Sequence, residues 1–416
     1  MSPRPPDPTP RPQGWLAFSV VAVGTVMATL DGNIVNVALP TLARELGAEV
    51  GPLQWVVNGY LIAITATLVP LGRLGDRLGH RALYAGGLLV FTAGSALCGL
   101  AGGLGALVAA RVVQALGASA MMAIGPAIVT AAFPPTVRGR ALGAVGTVVA
   151  LGLTAGPPLG GLILSHLSWR WIFYVNLPIG LAGAAWALRV LARGGGTAGG
   201  PLLDLALFRI PTFSWGLAAG LLSYAAMFSQ TFLTPFFLAR VLGLAPGALG
   251  LVLAAVPLAL SVASPLAGWI SDRFGERRLP AAGMLLVAAG LVALSSARAD
   301  GGVASVAARL ALCGAGMGLF QAPNSALVMG ALPRGRLGSG GGLLATARNA
   351  GMALGVGLAG VLFALRAGPG ARGEAFLAGY ALALRAGAGL ALLAAAASLA
   401  RGRAAPPARP APPRAA

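Results

Sequence analysis

Long apolar runs separated by short polar segments fill almost the whole chain. About 20 mainly apolar residues are enough to cross the hydrocarbon core of a bilayer as a helix. Measured with that ruler, the sequence predicts twelve spans. The first six are Trp15–Leu39, Leu53–Leu71, Ala82–Ala101, Leu104–Ala132, Ala141–Ser165 and Trp171–Leu191. The second six are Phe213–Leu238, Gly247–Ile270, Leu279–Ser296, Val303–Ala331, Gly340–Leu365 and Phe376–Leu399. In lipid only helices and closed barrels satisfy every backbone polar group. These runs lack the two-residue alternation of barrel strands, so the expected fold class is all-α and integral to the membrane. Their Gly and Pro residues fit that reading, because small faces let membrane helices approach closely.

Composition agrees. Hydrophobic residues make up 57% of the 416 and charged residues 9%, whereas a soluble domain carries roughly a quarter charged residues. The net charge of +19 would point to nucleic acid in a soluble protein. Here the charge lies mainly in alternate loops, so no nucleic-acid partner is expected. One set of loops holds Arg73, Arg77 and Arg81, then Arg138 and Arg140, then Arg189, Arg193 and Arg209. It continues with Arg273, Arg277 and Arg278, then Arg334 and Arg336. The opposite set holds only Arg44, Arg170, Arg240, Arg298, Arg366 and Arg372. Basic loops stay on the cytoplasmic side, which predicts a multi-pass protein of the cell inner membrane with both termini cytoplasmic. The first apolar run is too long for a signal-peptide core and is expected to be retained. Cys98 and Cys313 both sit in apolar segments, without metal spacing or a disulfide framework.

The chain repeats itself. The charged segment Gly72–Arg81, GRLGDRLGHR, returns as Gly268–Arg277, GWISDRFGER. Without gaps, Gly72, Asp76, Arg77, Gly79 and Arg81 fall on Gly268, Asp272, Arg273, Gly275 and Arg277. VAAR occurs at Val108–Arg111 and again at Val306–Arg309, each in the fourth span of its half. Parallel six-helix repeats are a known transporter plan, with the substrate site near the midplane between the halves. The expected division is a disordered tail at 1–14, a six-helix bundle at 15–193 and a linker at 194–210. A second bundle follows at 211–400, and a basic Pro/Ala-rich tail at 401–416.

Four segments carry a family resemblance over about Trp15 to Leu399. They are LDGNIVNVALP at Leu30–Pro40, the inner segment GRLGDRLGHR, GLTAGPPLGG at Gly152–Gly161, and SWRWIFYVNLPIG at Ser168–Gly180. In this order and at these spans, the chain resembles a major facilitator superfamily transporter, most closely the EmrB/QacA-type drug:proton antiporters. It departs from most of them in lacking two extra helices between the halves, which leaves a twelve-helix form. The resemblance implies two six-helix bundles that rock around a central cavity, usually in a monomer. It also implies that Asp76 and Arg77 act in a gate, mirrored by Asp272 and Arg273. Gly72 and Gly79 would allow close approach and a turn, and Arg81 completes that segment. Gly152, Gly156, Pro157, Gly160 and Gly161 match the antiporter string of the fifth helix. They would form a seal between the halves, or simply a small packing face.

Asp31 is the one acid well inside a span. An embedded carboxylate is costly and is a functional candidate by default. Burial favours its neutral form and a nearby Arg its charged form; a carboxyl held between the two can take up and release a proton. Asp31 is therefore the expected coupling acid and Arg111 its partner. The alternatives are a structural cap bonded to Asn33 or Asn36, and a static Asp31–Arg111 pair assisted by Gln114. Arg309 and Arg348 have no embedded acid in their own half. Backbone carbonyls, water and an anionic part of a substrate all remain open as their partners. Trp55, Asn58, Gln230, Phe232 and Arg348 are candidate substrate contacts. No P-loop is present and the chain has no Lys to complete one, so neither ATP drive nor any other cofactor is expected. No nucleophile–base set, catalytic residue or metal site stands out. The sequence therefore predicts a non-enzymatic, proton-coupled exporter of hydrophobic or cationic small molecules. Importer or facilitator of a polar metabolite, and non-transporting receptor, are the competing readings.

Overall fold

A computed structural model describes residues 12–134, 137–192, 205–274, 278–333, 336–368 and 370–400. Its helices are α1 (Pro12–Glu45), α2 (Val50–Leu78), α3 (His80–Leu100), α4 (Leu104–Ala132), α5 (Arg138–His166), α6 (Trp171–Tyr174) and α7 (Asn176–Val190). They continue with α8 (Pro211–Arg240), α9 (Pro246–Leu253), α10 (Ala255–Phe274), α11 (Leu279–Ser295), α12 (Gly302–Gly330), α13 (Leu337–Ala367) and α14 (Gly373–Leu399). No strand occurs among the described residues. The pairs α6–α7 and α9–α10 are single spans interrupted at Val175 and Ala254. Among the described residues, eleven units are long and apolar enough to cross a membrane, and α11, with 17 residues, is the shorter twelfth.

Two expectations about boundaries change. The first helix begins at Pro12, inside the segment expected to be a tail. The charged segment at 72–81 is not an extended turn: α2 runs on through Gly72, Asp76 and Arg77 to Leu78, and α3 starts at His80. Only Gly79 breaks the helix, at φ 89°, a conformation that favours glycine. Its N–H still bonds the Gly75 carbonyl at 2.9 Å. Continuing the helix past the apolar run keeps backbone groups paired, so charge alone does not end it. Most of the linker at 194–210 and all of the tail at 401–416 lie outside the described residues, which resume with a short 3-10 turn at Leu205–Arg209.

Within each half the same helices pair. In the first, α3 packs on α4, α2 on α4 and α1 on α5; in the second, α11 packs on α12, α10 on α12 and α8 on α13. Glycines set the closest crossings. A Cβ at Gly94 would lie 2.5 Å from the Gln114 Cα, and one at Gly283 would lie 2.6 Å from the Gly316 carbonyl. Gly87 and Gly94 of α3 have the same spacing as Gly283 and Gly290 of α11, so the duplication extends to the packing. Such small-residue crossings are how membrane helices gain contact where lipid offers no hydrophobic drive.

The halves meet along two seams, α2 with α13 and α5 with α9. Both seams close away from the end where α1 begins. The Gly250 backbone rests on the Pro157 carbonyl, and a Cβ at Gly161 would lie 3.1 Å from the Gly247 Cα. On the other seam Gly51 faces Ala364, and Gly360 rests on the Gln54 amide. Toward the opposite end, the α5 face that carries Pro157 and Gly161 continues through Gly139, Gly143 and Gly146. A Cβ at any of those three would meet nothing within 4 Å. The molecule is thus shut at one end and parted at the end where α1 starts.

Candidate transport site

The stretch of α1 around Asp31 presents two faces. One turns Leu30, Asn33 and Ile34 toward α5, where Gly152, Gly156 and Gly160 remove any side-chain bulk. A Cβ at Gly156 would lie 2.7 Å from the Asn33 Cβ, and one at Gly160 would lie 3.2 Å from the Ile34 Cα. The other face turns Asp31 into the interior of the first six helices. Its side chain is 0% exposed, and that of Arg111 is 2% exposed.

Three donors converge on the Asp31 carboxylate. Arg111 Nη1 donates to Oδ2 at 2.6 Å; Gln114 Nε2 and Asn176 Nδ2 each donate to Oδ1 at 2.9 Å. Gln114 also donates to Ser95 Oγ at 2.7 Å and accepts from Arg111 Nη1 at 2.6 Å. Arg111 Nε donates to the Val56 carbonyl at 3.3 Å, and the guanidinium lies 4.0 Å from the centre of the Tyr60 ring. Helices α1, α2, α3, α4 and α7 thus share one polar cluster. Charged hydrogen bonds and a cation–π contact are at their strongest away from water, and an unpaired charge here would be expensive.

Sequence reasoning reached Asp31, Arg111 and Gln114, but not Ser95 or Asn176. Ser95 is a neutral polar residue in an apolar run; Asn176 lies inside the sixth-helix segment, where its polarity was the only signal. The structure also differs on two points. Asp31 does not cap to Asn33, whose Nδ2 donates to the Thr29 carbonyl at 2.8 Å. Arg111 does not face the central cavity between the halves but is enclosed inside the first bundle, where its donors are satisfied.

The α5 string has a second function in packing. Gly152, Gly156 and Gly160 hold α1, while Pro157 and Gly161 hold α9 across the seam. One helix therefore touches both the carboxylate helix and the opposite half.

The charged segment at the end of α2 sits within the first half. Arg77 is exposed. Asp76 lies 3.7 Å from His80, an attraction that needs the imidazole protonated. Arg81 donates to the Leu188 carbonyl of α7. Gly72 has ordinary room, with Ala123 at 3.8 Å; Gly75 is the residue that a Cβ would drive into Ile124. In the second half the Arg273 guanidinium lies 5.7 Å from the Trp269 ring centre. The Asp272 backbone is helical; its side chain, and residues 275–277 with Gly275, lie outside the described set.

The candidate substrate contacts separate. Gln230 and Phe232 are buried within the second bundle, Gln230 beside Thr231 and Thr234, and Phe232 against Phe236. Trp55 is exposed on α2. Asn58, with its amide nitrogen turned to the Ala353 carbonyl at 3.0 Å, accepts from Gly357 N at 3.2 Å and so tethers α2 to α13. A crevice of about 660 Å³ beside it is lined by Ile62, Thr65, Leu354 and Val361. Arg309, the repeat of Arg111, donates to the Ala293 carbonyl at 2.9 Å. Arg348 lies beside the Tyr224 hydroxyl.

Beneath the loops of the closed end lies a cavity of about 1000 Å³, with Arg44, Glu49, Arg240 and Arg372 in its wall. No group of acids, His or Cys able to hold a metal occurs among the described residues.

A duplicated helical membrane protein, shut at one end and carrying a buried ion pair in one half, has the form of an alternating-access transporter. The family model described as Major Facilitator Superfamily matches residues 21–356, and again 216–416; the chain belongs to that superfamily and is a transporter, not an enzyme. It is 32% identical to the riboflavin transporter RibZ of Clostridioides difficile over 82% of this chain and 87% of the relative. It is 30% identical to the tetracenomycin C resistance and export protein of Streptomyces glaucescens, over 86% and 77%. It is 31% identical to the multidrug resistance protein Stp of Mycobacterium tuberculosis, over 84% and 76%. Among solved structures, a bacterial homolog of the human lysosomal transporter Spinster, inward-facing and occupied, superposes with a TM-score of 0.76 at 17% identity, covering 95% of this chain and 98% of that one. The nucleoside transporter NupG gives 0.74 at 11%, covering 93% and 100%. At those identities the likeness is one of fold.

Proposed function

We propose that this protein is a proton-driven exporter of hydrophobic small molecules, working as a monomer in the plasma membrane with both termini cytoplasmic. The observation that carries this reading is the Asp31 carboxylate, held by three donors on a helix whose other face rests on the sealing helix α5. An ionised carboxylate only accepts hydrogen bonds, whereas a protonated one must also donate. A proton on Oδ2 would compete with the Arg111 Nη1–H for that oxygen and cancel the charge that draws the guanidinium, so protonation weakens the 2.6 Å bond. Weakening of that bond frees α1 to shift against Gly152, Gly156 and Gly160, and α5 carries the shift to its Pro157–Gly250 contact with the other half. Proton uptake at the outer side and release at the inner side would then drive the two seams alternately open and closed. The likeness to a tetracenomycin C resistance and export protein, and to a multidrug resistance protein, supports the direction.

The test is transport in reconstituted vesicles under an imposed pH gradient, comparing wild type with Asp31→Asn. The expected result is gradient-driven export in the wild type and none in the variant, with equal protein in the vesicles. Unchanged gradient-driven export by the variant would overturn the assignment. The likeness to RibZ favours a second reading, facilitated movement of a polar metabolite. Riboflavin flux down its own gradient, indifferent to pH in both proteins, would select that alternative.

A further inference from the structure

Four arginines lie well inside the spans of the described residues; Arg385 is exposed near the middle of α14, and the other three are met differently. Arg111 has a carboxylate and Arg309 has a backbone carbonyl. Arg348, about a third of the way along α13, has no carboxylate or carbonyl partner among the described residues and lies beside the Tyr224 hydroxyl of α8. Its Nε is buried with no hydrogen-bond partner. The ion pairs among the described residues are those of Arg111 with Asp31, Arg298 with Glu374, Arg44 with Glu45 and His80 with Asp76. None reaches Arg348. A guanidinium is always charged and presents five donors in a planar fork, so this one has donors to spare at membrane depth.

The register of α8 shows where the pair faces. Leu221 and Ala225 turn to α13, beneath Gly351 and Gly355. Gly216 and Gly220 turn to Asn324 of α12. Ala226 and Ser229 turn to Gly387 of α14. At about 100° per residue, Tyr224 falls between the α12 and α13 faces and opposite α14. That arc is the one that the contacts with α12, α13 and α14 leave uncovered. Tyr224 and Arg348 are each partly accessible, as is Phe228 one turn along.

We propose that Arg348 and Tyr224 form an anion-recognition site, and that the cargo is an aromatic compound bearing an acidic oxygen, a carboxylate, phenolate or enolate. This rests on the exporter reading and narrows it. The guanidinium fork takes the acidic oxygens, the Tyr224 hydroxyl adds a donor, and Phe228 gives the aromatic body a surface. Asp31 offers no competing attraction to a cation, because three donors already enclose it. A lipophilic cation, one of the cargoes expected from sequence, would meet a like charge at Arg348. The charge balance is then fixed. One proton inward against one monoanion outward moves two positive charges inward per cycle, whereas exchange with a monocation moves none.

The decisive experiment is binding to purified protein in detergent, which needs no proton gradient and so stands apart from the transport test above. Three isosteric probes are titrated by calorimetry: 2-naphthoate, methyl 2-naphthoate and trimethyl(2-naphthyl)ammonium. Naphthoate is expected to bind about ten-fold tighter than its ester, with the cation weakest. Arg348→Gln should weaken naphthoate far more than the ester and so remove that preference; Arg348→Lys should keep part of it, and Tyr224→Phe should reduce it several-fold. Equal binding of acid and ester in the wild type, a preference for the cation, or a preference that survives Arg348→Gln would overturn the site. If Arg348→Gln does not yield folded protein, the wild-type ranking and Tyr224→Phe decide. An intact Arg348-dependent preference without pH-driven export would leave this site standing and remove the exporter reading instead.

Discussion

At the scale of single residues, the Asp31 cluster is a set of charges and amides that only make sense together. Removing one partner of a buried pair leaves the other uncompensated, at a cost of about 3–5 kcal/mol. Arg111→Gln should therefore lower the melting temperature sharply, and Asp31→Asn combined with Arg111→Gln should restore much of the loss. A thermal-shift series on the two single variants and the double variant measures this; additive losses would show that the two side chains act independently. The double variant should remain inactive in vesicles, because stability returns without the titrating group. Asn176→Ala should weaken transport less than Asp31→Asn, since Gln114 still holds Oδ1. Asp31 and Arg111 were legible because charges inside apolar runs are rare. Ser95 and Asn176 were not, because nothing along the chain says which neutral polar side chains will converge.

At the scale of elements, α5 links the coupling helix to the seam. A Cβ on Gly250 would enter the Pro157 carbonyl, so Gly250→Val should keep the closed end from shutting. Spin labels at Glu49 and Arg372, which both line the closed-end cavity, should move apart in the variant by pulsed dipolar spectroscopy; an unchanged distance would mean that the α5–α9 contact does not hold the seam. The α2–α3 turn gives a second test. Gly79 is at φ 89°, where Ala is strained, and Gly79→Ala should cost on the order of 1 kcal/mol or more, read as a fall in melting temperature. The sequence marked the segment Gly72–Arg81 as the turn, because charge and glycine interrupt the apolar run. The turn contracts to one residue because Gly75 lets α2 run on past Ile124, a contact made by α4 that no local pattern records.

At the scale of the molecule, one face of α5 is open at Gly143 and closed at Gly161. Cys98 and Cys313 are both buried, so the background for thiol labelling is low. Gly143→Cys, at an exposed position, should react quickly with an aqueous maleimide, and Leu249→Cys, buried beside Gly250 at the closed end, should react slowly. If the bundles rock, a condition that opens the other end should reverse that order. Equal rates under all conditions would argue for a static assembly. Each unit charge crossing 100 mV is worth about 2.3 kcal/mol, so the membrane potential is itself a large driving term for any cycle that moves net charge.

The sequence by itself determined the spans, the duplication and the rarity of embedded charge. Each is local: a run of apolar residues of sufficient length must cross lipid as a helix, and a charge within it needs a partner. What it left undecided was which partner. VAAR occurs twice, yet Arg111 meets a carboxylate while Arg309 meets a carbonyl, because only α1 brings an acid to that depth. Arg348 is a further single letter in an apolar run; its meaning depends on α8 setting Tyr224 beside it and no acid at all. Pairing across helices far apart in the chain is a property of packing, and packing alone decided which end of this molecule is shut.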